Sequence, residues 1–141
     1  MEFYQKEIIL SEYSRGYHLI TDYLLEAISE IREIQIGQFQ AFIKHTSASL
    51  TINENADPTV RLDFESHINK MIPENMPYYK HDYEGADDMP AHIKSSMLGC
   101  QVQIPITEGK LNLGIWQGVY LGEHRNNGGN RKIVVTVFGT R

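Results

Sequence analysis

One cysteine, Cys100, is all that the 141-residue chain offers for thiol chemistry. An internal disulfide is therefore excluded, and a reducing compartment suits the composition. Basic residues are in the minority, with 13 Lys and Arg against 18 Asp and Glu for a formal net charge of -5. That balance argues against nucleic-acid partners, because broad backbone binding needs a basic face that releases counterions. No apolar run is long enough to span a bilayer. The opening MEFYQKEIIL carries charges throughout and does not read as a secretory leader. A cytoplasmic protein with no membrane partner is the resulting expectation. Repeats, low-complexity tracts and linkers are also missing, so residues 1–141 read as a single domain large enough to bury a core. Walker A, dinucleotide and GxSxG signatures are absent. Cys100 lacks the basic neighbours that would activate it, so it reads as structural.

The pattern that is present predicts mixed structure. Strands are expected over 3–10 and 17–20, flanking a Ser14-Arg15-Gly16 turn. Thr21 or Asp22 is placed to cap a helix carrying Leu24, Leu25, Ile28 and Ile31. Residues 38–44 alternate strictly, with Phe39, Ala41 and Ile43 on one side, and His45 shares their parity. The pattern then inverts, so that Leu50 and Ile52 face one way while Ser47, Ser49, Thr51 and Asn53 face the other. Asp57-Pro58 is a strong helix start, followed by Val60, Phe64, Ile68 and Met71 at helical spacing. Residues 74–87 form a long polar and aromatic loop, of the kind that carries function. Asp88-Met89-Pro90 opens a short helix that Gly99 stops. Its expected apolar side is Ile93 and Met97, and its polar side is His92, Ser95 and Ser96. Strands follow at 101–107, 111–123 and 132–138, with Pro105 marking an edge or a bulge. This order is not alternating βαβ. It predicts an α+β fold with mostly antiparallel sheets and two to three helices.

Four of the six histidines lie between positions 45 and 92, in a region crowded with carboxylates. Imidazole is the commonest metal ligand, and three imidazoles leave coordination positions open. His45, His81 and His92 are the candidate ligands of a divalent metal, although their spacing matches no compact motif such as HExxH. His18 and His67 lack such company and read as core or surface histidines. Glu54 ends a strand where a side chain can be aimed into a cleft, which makes it the candidate base. Asp57 and Asp88 read as helix caps. In the 111–123 run, Gln117 and Glu123 share the inward parity of Leu111, Leu113, Ile115, Val119 and Leu121 unless a glycine bulge flips the register. Trp116 and Tyr120 fall on the other parity and suit an interface or a ring to stack on. The turn from His124 to Arg131 holds two arginines whose forks match phosphate geometry.

The runs HTSASLTINENADPTVRLD, HDYEGADDMPAHIKSSMLG, LGIWQGVYLGEHR and GGNRKIVV together resemble the YjbQ family, also called the secondary thiamine-phosphate synthase family. The resemblance covers nearly the full length. It implies an α+β domain whose sheets pack around a threefold axis into a homotrimer, with polar residues gathered near the subunit boundaries. By position it carries the family's histidines onto His45, His81 and His92. Its polar residues fall on Ser47, Asn53, Glu54, Glu84, Ser96, Gln117, Glu123 and Arg131. The loop EHRNNGGNR departs from the EFDGPRxR form of many relatives, and the departure falls on Arg125.

The activity that the resemblance implies is the coupling of an aminopyrimidine diphosphate to a thiazole phosphate. In that reading His45, His81 and His92 hold the metal, and Glu54, Glu123, Ser47 and Asn53 do the catalytic work. Arg131, Ser96, Gln117 and Trp116 bind a small phosphorylated substrate. Magnesium on a diphosphate prefers oxygen ligands, whereas three histidines suit zinc, iron or manganese. Two other readings stand beside it: a metal-dependent hydrolase of a small phosphorylated or amide substrate, and a non-catalytic ligand-binding trimer.

Overall fold

The alternation of Phe39, Ala41 and Ile43 persists in a computed structural model, which describes residues 1–141, and all three side chains are buried. They lie on β3 (Ile36–Ile43), the middle strand of a five-stranded sheet. The other strands of that sheet are β1 (Glu2–Ile9), β5 (Gln101–Thr107), β6 (Lys110–Leu111) and β8 (Lys132–Thr140), in the order β1-β8-β3-β5-β6. A second sheet has the order β2-β7-β4, from β2 (Gly16–Leu19), β4 (Ala48–Glu54) and β7 (Gln117–Glu123). All pairings are antiparallel, as the α+β reading requires. Three helices complete the fold: α1 (Thr21–Ala27), α2 (Pro58–Met71) and α3 (Asp88–Leu98), with a 3-10 turn at Ser29–Glu33. No helix is long and apolar enough to cross a membrane.

The core fills the space between the sheets. Odd-numbered residues of β3 and β8 and even-numbered residues of β5 meet Ala48 and Leu50 of β4 and Val119 and Leu121 of β7 in one apolar cluster. The small sheet is covered on its other face too, by α2 over β2 and α3 over β4. This is why Ser49 and Tyr120, on the outward parity, are as buried as their core-facing neighbours. Phe64 of α2 meets Tyr17 and Tyr120 edge-on, closing that second layer.

Several expectations are met and some are corrected. Asp57 caps α2 by accepting from the Thr59 N–H at 2.9 Å. Gly99, at φ 107°, ends α3 in a conformation that side-chain-bearing residues rarely adopt. Pro105 sits on an edge: its carbonyl accepts from Asn112 N at 2.8 Å, and its missing N–H lies on that same side, beyond the short β6 pairing. Thr21 does not cap α1; its hydroxyl accepts from Val119 N at 2.8 Å and ties the helix start to β7. The run expected over 111–123 breaks into β6 and β7, because Gly114 and Gln117 close a turn between them. Parity therefore does not carry across it, and Ile115 and Gln117 are exposed while Glu123 is fully buried.

The orientation of α3 is the largest departure. Met97 is 61% exposed, whereas Asp88, Lys94 and Ser95 are buried. Hydrogen bonds explain the inversion: Ser95 Oγ donates to the Ala48 carbonyl at 2.8 Å, and Lys94 Nζ donates to Asn69 Oδ1 at 2.6 Å. The helix is seated by polar bonds, which apolar periodicity does not register.

Candidate functional site

Asp88 and His92 stand one turn apart in α3 and so project from the same side of the helix. Asp88 is 1% exposed. Its Oδ2 lies 2.7 Å from His81 Nε2, which comes from the loop before α3, and 3.3 Å from His92 Nε2. The donor atoms of His81, Asp88 and His92 all fall within 4.8 Å of one another. The rings of His81 and His92 are 5.2 Å apart, and Tyr83 meets His81 edge-on at 5.5 Å.

The second oxygen of Asp88 is held by Arg125. Its Nη1 donates to Asp88 Oδ1 at 2.5 Å, its Nε to Asp87 Oδ2 at 2.9 Å and its Nη2 to the Glu84 carbonyl at 2.9 Å. One guanidinium thus ties together the loop, the start of α3 and the turn after β7. Burial alone would push the Asp88 carboxyl up. The charge of Arg125, the hydrogen bond from His81 and the nearby His92 outweigh it and hold the group below its ordinary range. Asp87 is also lowered, against its burial, by the Asn126 N–H and by Arg125.

The hydrogen bonding of His92 tests whether a cation suits this cluster. Its Nδ1 donates to the Thr46 carbonyl at 2.9 Å. In the neutral ring that bond leaves a lone pair on Nε2, facing a carboxylate oxygen at 3.3 Å. Two acceptors facing each other need a proton or a metal between them. The donor set of two imidazoles and one carboxylate is the one found around zinc in hydrolases and around ferrous iron in oxygenases. Arg125 supplies the outer support that such ligands ordinarily receive.

The residues expected from the sequence divide into groups. His81 and His92 come together; His45 does not join them within the chain. Its Nε2 accepts from the Lys132 N–H at 2.8 Å, which secures the end of β3 to β8, and burial together with nearby Arg131 lowers its pKa. Glu123 and Arg131 form a buried pair, with Nε donating to Oε1 at 2.8 Å and Nη2 to Oε2 at 2.5 Å. Arg131 also donates to the Ser47 carbonyl at 3.1 Å and is only 5% exposed. The Nε and Nη2 side of its fork is thus taken up by Glu123 and Ser47, and Glu123 is engaged in the same buried pair.

Asn53, Glu54, Gln117 and Trp116 gather at the far end of the small sheet. There Glu54 pairs in register with Gln117, whereas Ala48 pairs with Glu123 at the near end. Six residues of strand separate the two ends, roughly 20 Å. Asn53 Oδ1 accepts from Glu54 N at 2.8 Å, and the Tyr120 hydroxyl donates to the Glu54 carbonyl. Trp116 is exposed beside them, on a segment held by Asn55. Ser96 and Glu84 are exposed, and only the Glu84 backbone takes part in the cluster.

Sequence reasoning missed Asp88 and Arg125. Asp88 was assigned to a cap, although its i, i+4 spacing with His92 was a readable signal. Arg125 gave no such signal, since its partners lie about forty positions away.

The comparisons agree with this architecture. A family model described as UPF0047 protein YjbQ-like matches residues 6–140. The UPF0047 protein YjbQ of Salmonella typhimurium is 54% identical over 96% of this chain and 98% of its own length. Its counterpart in Escherichia coli O157:H7 is 52% identical over the same shares. Among solved structures, a YbjQ-like protein from Sulfolobus solfataricus superposes with a TM-score of 0.85 at 25% identity, covering 98% of both chains. A yjbq/upf0047 family protein from Clostridium acetobutylicum gives a TM-score of 0.83 at 37% identity, over 94% of this chain and 99% of that one. The chain belongs to the YjbQ-like UPF0047 family.

Proposed function

We propose that the protein is a divalent-metal-dependent hydrolase acting on a small substrate, with His81, Asp88 and His92 as the metal-holding set. The observation that carries this reading is the Nε2 of His92, fixed by the Thr46 carbonyl and aimed at Asp88 Oδ2 at 3.3 Å. A divalent ion held there supplies a water of lowered pKa and polarises a carbonyl or phosphoryl oxygen. Arg125 fixes the direction of the Asp88 carboxylate, and the Thr46 carbonyl fixes the tautomer of His92. Zinc, manganese and iron suit these donors better than magnesium does.

Coupling an aminopyrimidine diphosphate to a thiazole phosphate is the second reading. It is the activity that the family resemblance implies. It needs a cation on the departing diphosphate, and engagement of Arg131 by Glu123 weighs against it.

The reading includes a homotrimer. The outer face of the five-stranded sheet carries the stacked pair Phe3 and Phe138 together with exposed Ile36 and Phe42, an apolar area of the kind that marks an interface.

The test is titration of tag-free, metal-stripped protein with zinc and manganese, followed by a screen of amides and phosphate esters and growth of a thiamine auxotroph. Binding that depends on Asp88, with turnover of one ester or amide class, supports the hydrolase. Growth of the auxotroph without hydrolysis supports coupling. Absence of metal binding removes both.

A further inference from the structure

A cavity of about 370 Å³ opens directly beside His81. That volume falls in the range of small-molecule sites. Its walls are mixed: Met76, Pro77, Tyr79 and Met89 supply apolar surface, Asn75 and His81 supply polar groups, and Asp82 is its one carboxylate. No arginine or lysine lines it. The loop that forms it is anchored: Tyr79 Oη donates to the Pro73 carbonyl at 3.0 Å, Tyr79 N to the Met76 carbonyl at 3.1 Å, and Arg125 to the Glu84 carbonyl at 2.9 Å.

Arg125 is the cation that passes beneath this loop, and each of its three nitrogens already donates to Asp87, Asp88 or Glu84. A phosphate entering the cavity would lose its hydration, meet Asp82 and find no free fork. An aromatic or short aliphatic body would gain the apolar walls, and a cationic amine on that body would gain Asp82.

We propose that this cavity is the substrate-side pocket of the His81–Asp88–His92 centre and that it takes an unphosphorylated arylalkyl amine, whose amino group is cationic at neutral pH. The inference rests on the metal-dependent reading for its catalytic meaning, but the recognition belongs to the protein alone. It makes Asp82 the residue that selects for charge and Met89, next in sequence to Asp88, the one that sets the depth. A phosphorylated substrate would then have to keep its phosphate outside the cavity.

Three probes that share one phenyl ring separate the possibilities: benzylamine, benzyl alcohol and phenyl phosphate. Each is titrated into metal-free, isotopically labelled protein at pH 8, with backbone amide shifts as the readout. Benzylamine is expected to move the amides of Met76, Tyr79 and Met89 and to bind about fivefold or more tighter than phenyl phosphate, the scale of one nearby opposite charge. Asp82→Asn, a change at an exposed loop position, is expected to bring benzylamine down to the level of benzyl alcohol. Met89→Trp is expected to abolish binding of both. Tighter binding of phenyl phosphate, shifts confined to other surfaces, or an unchanged benzylamine affinity in Asp82→Asn would each overturn the proposal. Zinc titration of the same samples keeps the two readings apart. Zinc binding without benzylamine binding removes only the pocket, and benzylamine binding without zinc binding removes only the metal centre.

Discussion

Arg125 donates to Asp88 Oδ1 at 2.5 Å, while the other oxygen of the same carboxylate lies 2.7 Å from His81 Nε2. The guanidinium is therefore a support beneath the candidate ligand set and takes no place in it. Arg125→Gln should lower zinc affinity about 10- to 100-fold, the usual effect of losing such a support. Asp88→Asn should remove binding, since the carboxylate itself is lost. Isothermal titration of stripped protein reads both. Equal affinity in wild type and Arg125→Gln would show that Asp88 needs no help to point where it does.

Glu123 and Arg131 pair in a fully enclosed site, where each charge depends on the other. Breaking such a pair by removing one partner typically costs about 3–5 kcal/mol, while replacing both with apolar groups is often near neutral. Arg131→Met should therefore destabilise by roughly that amount, and Glu123→Leu with Arg131→Met should recover most of it. Gly128 belongs to the same arrangement: a Cβ there would run into the Glu123 carboxylate, so Gly128→Ala should also destabilise. Urea unfolding of the wild type and the three variants measures the series. A stable Arg131→Met that has lost phosphate affinity would restore the ligand role this arginine was expected to have.

The contrast between these two ion pairs explains how much the sequence disclosed. Strands were legible because alternation such as Phe39-Ala41-Ile43 reports a single buried face, and the start of α2 was legible because Asp57-Pro58 acts locally. Asp88 was misread as a cap because a carboxylate before a helix has that ordinary local use, and nothing nearby reveals a distant arginine. Glu123 kept the inward parity it shares with Val119 and Leu121 on β7, whereas Gln117, at the start of that strand, is exposed because its side chain closes a turn with Gly114. His45 had the parity of the core, but its ring nitrogen met a backbone donor at the strand end. Long-range polar pairing leaves no periodic trace, so the apolar scaffold was readable and the site only partly.

His124 gives a stability effect with a defined pH window. The ring is buried, its Nε2 bonds to Ser49 Oγ at 2.9 Å, and its Nδ1 has no partner. Burial, with the nearby charge of Lys94 next, lowers its pKa from 6.5 to about 3. The folded protein keeps this histidine neutral where an unfolded chain would protonate it. Its contribution is therefore complete above the ordinary histidine value of 6.5 and is lost progressively as the pH falls toward about 3. The slope from this one group is about 1.4 kcal/mol per pH unit inside that window. Asp87 and Asp88, whose pKa values lie below 3.8, add their own loss only at lower pH. His124→Phe should flatten the stability profile between pH 6 and 4 and leave the more acidic limb in place. Denaturant midpoints at half-unit pH steps read the difference, and superimposable profiles would assign the loss to other groups.

Quaternary structure is open to a test of the same kind. Phe3 and Phe138 stack with centroids 5.9 Å apart on the outer face of the large sheet. Register places them on the same parity as Ile36 and Phe42, opposite to the buried Phe39, Ala41 and Ile43. An isolated subunit would hold these aromatic and branched side chains against water, at a cost of about 25 cal/mol for each Å² of apolar surface. A stable interface of about 800 Å² per partner would cover them. Phe138→Lys places a charge beside Phe3 on that face while leaving the inward-facing core untouched. The wild type should sediment as a trimer and Phe138→Lys as a smaller species of unchanged secondary structure, with zinc affinity retained if the His81–Asp88–His92 set is complete within one chain. Loss of zinc binding on dissociation would mean that a neighbouring copy contributes a ligand. A wild type that sediments as a monomer would leave the apolar face without a partner and remove the trimer from the reading.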